Sequence, residues 1–180
     1  MKPLLRFGRR RSSWELDDAS AIAAVEFRRG DGHDLSLSAY EVKAHDADEL
    51  RARTIQVYTE HAASFLGTPP NGIRPLDLSG LRAPVATAGS TLFQYANGCH
   101  REMHLASDAD LLRLVEQVKR EFACRAMEEV PASAMLDYAC EQLRARDPEW
   151  VAATTPPQNA NAWLGLVAKR RKKATPPRQD

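Results

Sequence analysis

Cysteine is scarce in this chain of 180 residues, with three in all, at Cys99, Cys124 and Cys140. An odd and widely spaced set excludes a disulfide framework, and no CxxC pair is present to hold zinc or carry redox chemistry. A reducing, cytoplasmic location follows from that usage. No stretch reaches the roughly 18 apolar residues of a membrane span, which excludes a transmembrane helix. The amino terminus is basic but passes into Trp14-Glu15-Leu16-Asp17-Asp18, without the run of about 7–15 apolar residues of a secretion signal. Phosphate-cradling loops of the G-x-x-x-x-G-K-[ST] or G-x-G-x-x-G type are missing, as is a G-x-S-x-G elbow. Their absence removes the common nucleotide-binding and serine-hydrolase patterns, so the reading leans away from an enzyme, with no cofactor expected.

What is present is enough to fold. Hydrophobic residues make up 43% of the chain, sufficient for one core without covalent staples. Charge is unevenly spread. Residues 1–11 carry five basic groups and no acid, and residues 169–180 carry six against one acid. The remaining 12–168 carry 14 basic and 23 acidic residues, a net of −9 beneath an overall +1. An acidic body with two cationic ends bears on partners and solubility more than on fold. The expected organisation is a basic tail over 1–13, one domain over 14–153 and a flexible basic arm over 154–180.

Within the body, Ala21 to Phe27 and Leu35 to Val42 read as strands of a hairpin around the turn-forming cluster from Arg28 to Asp34. Asp46, with Glu49 three residues on, caps a helix whose Leu50, Thr54, Val57, Tyr58, His61 and Phe65 share one face. Residues 68–89, with four prolines, read as a long connection. Asn97-Gly98 suits a two-residue hairpin turn, which would pair Ala96 with Cys99, Gln94 with Arg101 and Leu92 with Met103. Ser107 to Asp110 caps a further helix to about Met127, and Pro131 opens another that Asp147-Pro148 ends. The order β-β-α-β-β-α-α predicts an α+β domain: an antiparallel sheet of two hairpins with helices packed on one face.

Few residues carry a chemical signal. His100, Glu102 and His104 alternate along one strand face, an arrangement that could hold a metal, but nothing nearby completes the set. Cys99 and His100 point to opposite faces and make a poor nucleophile–base pair. His61 lies inside an apolar arc, where a half-buried histidine whose ring is satisfied by a backbone carbonyl accounts for it. Asp46, Asp48 and Glu49 are explained by helix capping. The sharper features are the tails. Arg9, Arg10, Arg11, Lys169, Arg170, Arg171, Lys172 and Lys173 suit salt-sensitive phosphate contacts, while Trp163 and Leu164 suit a base or a partner's groove. A membrane surface is the weaker fit to that layout.

The resulting expectation is a non-catalytic accessory protein. Its acidic body contacts a protein partner, and its basic tails tether the assembly to nucleic acid. The rivals are a small enzyme with a site near the 68–89 connection and the 99–104 strand, and an immunity-type inhibitor whose acidic face covers a basic toxin.

Overall fold

The computed structural model describes residues 3–8, 35–65, 74–79, 85–87, 91–105, 107–124, 129–153, 163 and 165–170. It is an α+β fold with ten elements named among the described residues. In order they are β1 (Leu4–Gly8), β2 (Leu35–Glu41), α1 (Ala47–Phe65), β3 (Arg74–Asp77), β4 (Val85–Thr87), α2 (Gln94–Cys99), β5 (His100–Leu105), α3 (Asp108–Cys124), α4 (Ala132–Arg144) and α5 (Pro148–Ala153). The five strands form one sheet in the order β3-β1-β2-β5-β4, with every pairing antiparallel.

The amino terminus departs most from expectation. Residues 4–8 form a strand inside the sheet, flanked by β2 and β3, and not part of a tail. Leu5 is fully buried opposite Tyr40. Burial of two leucines outweighs the basic composition around them. Ser79 Oγ accepts the Leu4 amide at 2.9 Å, and Leu4 O accepts the Leu78 amide at 2.8 Å. The proposed partner strand over 21–27 lies outside the described residues, and β2 pairs instead with β1 and β5. The 68–89 connection contains the two edge strands, β3 and β4.

The second expected hairpin is absent. Residues 94–99 form a helix, with Asn97-Gly98 inside it, and β5 begins at His100. Asn97 is the local reason. Its side-chain oxygen accepts from the Thr91 amide at 2.7 Å and the Thr91 hydroxyl at 2.8 Å, and its amide donates to Thr91 O. Those bonds close residues 91–97 into a compact loop in place of a two-residue turn.

The helices begin where capping predicts. Asp46 Oδ1 accepts the Glu49 amide at 2.8 Å while Glu49 Oε2 accepts the His45 amide at 2.8 Å, a reciprocal cap for α1. Ser107 Oγ accepts the Asp110 amide, starting α3. Pro131 sits at the cap of α4, one residue before the helix. Arg146, at φ 55°, breaks the chain out of α4, and Asp147 then caps α5 by accepting from Glu149 and Trp150.

Helices occupy both faces of the sheet, not one. Leu5 and Tyr40 join a core with Phe93 and with Val57, Tyr58, Ala96, Met135, Ala139 and Trp150, the last six drawn from α1, α2, α4 and α5. Met103 and Leu105 alternate with His100 along β5 and are buried away from that cluster. On that side α3 contacts β3 and β5 with Leu114 and Val115 buried. The carboxy-terminal segment is also tied down where it is described. Trp163 is 2% exposed, stands edge-on to Trp150 at 6.5 Å, and shares the main core with Val167. A flexible arm over 154–180 is therefore corrected at 163 and 165–170, because these apolar side chains complete the core of α4 and α5. Among the described residues no helix is long and apolar enough to cross a membrane.

Because β1 is an interior strand, Leu5→Ala should cost about 2–5 kcal/mol, the range for emptying a buried leucine site. Urea denaturation measures it. Wild-type stability in that variant would show that residues 4–8 are dispensable.

Candidate functional site

The residues singled out from sequence do not converge. Arg9, Arg10, Arg11, Leu164, Arg171, Lys172 and Lys173 lie outside the described residues. Lys169 is exposed. Arg170 is occupied, its Nη2 donating to Asp137 Oδ2 at 2.7 Å and its Nε donating to Asp137 Oδ1. That carboxylate holds the guanidinium pKa above its ordinary value. Trp163 is a core residue and is not presented to a partner, since burying its ring against Trp150 outweighs exposing it.

The histidines gather around Tyr40. Its ring stacks on His100 at 5.0 Å, and its hydroxyl lies 2.5 Å from His61 Nδ1. His100 Nε2 lies 2.6 Å from Ser38 Oγ. Burial lowers the His100 pKa and raises that of Tyr40, so both favour the neutral form. This arrangement satisfies polar groups at the junction of sheet and helix; His61 is half-buried as expected, with the Tyr40 hydroxyl at its ring where a backbone carbonyl was expected. His104 is half-buried further along β5. Among the described residues no three His, Cys, Asp or Glu side chains are grouped to hold a metal ion. Burial, the largest influence on Cys99, raises its thiol pKa, the opposite of what a nucleophile needs.

The site that the sequence reading missed lies on another arc of α1. Glu49, Arg53, Gln56 and Glu60 recur at steps of four, three and four, which places them in one row along the helix. Glu49 pairs with Arg53 at 3.7 Å, Arg53 donates to Gln56 Oε1 at 3.2 Å, and Gln56 Nε2 donates to Glu60 Oε1 at 3.0 Å. Arg53 also lies over the Tyr95 ring, 5.2 Å from its centroid. Ala134, Asp137, Tyr138 and Glu141 on α4 form the facing row. Between them runs a cleft of about 570 Å³, lined also by Ala52 and Ile55. Three acids and one arginine share its lining with apolar side chains.

Glu60 lies at the inner end of this row and is 3% exposed. The Tyr138 hydroxyl donates to its Oε1 at 3.2 Å, and the Ala96 amide donates to its Oε2 at 3.0 Å. The Gln94 amide donates to Glu149 Oε2 at 3.1 Å. Helix α2 has no side-chain cap of its own, so two distant glutamates satisfy its first amides. Burial is the largest influence on Glu60 and lifts its pKa from 4.5 to about 7, against the lowering effect of the three hydrogen bonds.

No protein-family model, no curated protein and no solved structure matches this chain.

With its folded pKa above the unfolded value, Glu60 favours folding most below pH 4.5 and progressively loses that contribution as pH rises to about 7. The loss totals about 3 kcal/mol at 1.36 kcal/mol per pH unit. Glu60→Gln cannot ionise, so the wild type should lose stability relative to this variant across that window, as measured by chemical denaturation at a series of pH values. Parallel profiles would contradict the assignment.

Proposed function

We propose that this protein is a non-catalytic binding domain whose acidic body receives a cationic segment of another protein in the α1–α4 cleft. The observation that carries this reading is the lining of the cleft. Glu49, Asp137 and Glu141 stand with one cation, Arg53, around Ala52, Ile55 and Ala134, a net acidic lining that suits a segment alternating arginine or lysine with apolar side chains. Arg170 supports it from within the chain, since its guanidinium already sits on Asp137. An external arginine would meet the same chemistry at Glu141. Helix-in-groove docking on apolar anchors is a common mode for such a surface.

The enzyme reading gains less. The Tyr40, His61 and His100 group is engaged in internal contacts, and His61 belongs to a different arc of α1 from the cleft row. The inhibitor reading is a special case of the proposed one, with a basic toxin as the partner. Nucleic-acid tethering remains the role proposed for Arg9, Arg10, Arg11, Lys169, Arg171, Lys172 and Lys173. Arg170 is removed from that set by its pairing with Asp137.

An amidated amphipathic helical peptide, with arginines on one face and leucines on the other, tests the cleft. Fluorescence anisotropy should show saturable binding that weakens about tenfold or more in Glu141→Lys, the scale of losing one well-placed charge contact. Equal binding by the variant, or equal binding of a glutamate-for-arginine peptide, would overturn the reading. For the tails, binding to a DNA duplex should fall steeply with salt and disappear on deleting residues 171–180. Retention after that deletion would contradict the tethering role.

A further inference from the structure

We propose that the basic run from Arg170 to Lys173 is the cleft's own occupant, so that the free chain holds the α1–α4 cleft closed and a partner's cations must displace it. The inference rests on the cleft being the partner surface and adds how that surface is regulated.

The contact that begins the run is in place. Residues 163 and 165–170 are helical, and Trp163, Val167 and Arg170 recur at steps of four and three, one face of a helix. Trp163 and Val167 are buried in the main core, which fixes the direction in which the chain leaves it. Cys140 Sγ on α4 lies 4.0 Å from Val167 O, and Asp137 pairs with Arg170. Three residues forward along the carboxy-terminal segment are therefore three residues back along α4, so the two run antiparallel. The next turn of α4 in that direction holds Ala134, which lines the cleft with Asp137. Arg171, Lys172 and Lys173 follow Arg170 directly, so the chain brings its cations to a cleft whose other acids are Glu49 and Glu141. Arg170 donates from two nitrogens to the two oxygens of Asp137, the fork that a partner's arginine would also present. Both side chains stay partly exposed, and such a pair exchanges with a competitor more readily than a buried one. Tethering offsets that weakness, because a short link gives the run an effective concentration of about millimolar. The run carries no apolar side chain, so it meets the acids and leaves Ala52, Ile55 and Ala134 without a partner of their kind. A cationic segment with apolar anchors has that further contact and displaces it; a purely basic segment does not.

Carbodiimide coupling reads the occupancy without a partner. It joins a lysine amine to a neighbouring carboxyl group as an amide, the reagent taking up the lost water as a urea. Mass mapping of the full chain should find Lys172 or Lys173 coupled to Glu49 or Glu141 well above their coupling to Asp110 and Glu116 on α3, across the sheet. Coupling to the α3 acids at the same level overturns the occupancy. The arginine–leucine peptide reads the closure. It should bind the triple variant Arg170→Gln, Lys172→Gln and Lys173→Gln about fivefold tighter or more than wild type, the gain from emptying a cleft that is occupied most of the time. Arg113→Gln, Lys119→Gln and Arg120→Gln together remove the same charge from α3 and should leave affinity within about twofold, since salt screens distant charges. Equal affinity in wild type and the first variant, or an equal gain in the second, overturns the closure. Failure of the peptide to bind any of the three proteins overturns the partner reading alone, because the coupling pattern judges the occupancy by itself.

Discussion

Glu60 is the point at which three helices are joined. It belongs to α1, it accepts the hydroxyl of Tyr138 from α4, and it accepts the first-turn amide of Ala96 from α2. A carboxyl group in an apolar setting is tolerated only when its oxygens are hydrogen-bonded, and here both are. The cost of placing it there is offset by what it organises. Helix α2 is six residues long and carries no local cap, so its orientation depends on Glu60 and Glu149. The position of α2 in turn sets where β5 starts, and with it the stacking of His100 on Tyr40. Along α1 the same carboxyl closes the row that begins at Glu49 and runs along the cleft through Arg53 and Gln56.

The sheet carries the second constraint. Its centre is assembled from segments far apart in sequence, with β1 between β2 and β3 and with β5 between β2 and β4. Non-local pairing of this kind pays its loop-closure entropy before its contacts reward it. Trp163 and Val167 close the opposite end of the core against α4 and α5. Residues 4–8, within the cationic amino-terminal stretch, therefore complete the sheet, and Trp163 and Val167, just before the cationic carboxy-terminal run, seal the helical layer. Opposite charge along the chain is preserved as a pattern, but Arg170 spends its charge on Asp137 inside the fold.

What could be read from the residues alone follows the range of the interactions responsible. Caps are local, so α1 and α3 begin where Asp46 and Ser107 indicate, and the apolar face of α4 at Met135, Ala139 and Cys140 is buried as its spacing requires. The alternation of residues 35–41 likewise appears as β2. Asn97-Gly98 shows where local chemistry loses. A turn-forming pair was overridden by the bonds from Asn97 to Thr91 and by carboxylates 36 and 55 residues away. Residues 4–8 were hidden by their basic neighbours, because two leucines and a phenylalanine leave little period to detect. The cleft had a visible signal, the polar row from Glu49 to Glu60 at helical spacing, but a row of charges ordinarily marks a solvated face. Only the approach of α4 turns it into a wall.

The most direct measurement of the central claim is amide hydrogen exchange at Ala96. If Glu60 holds α2 against α1 and α4, that amide is protected like those of the β2–β5 ladder, and Glu60→Ala removes its protection while leaving the ladder intact. Exchange at Ala96 as fast as that of an exposed amide in the wild type would show that the carboxylate does not hold the three helices together.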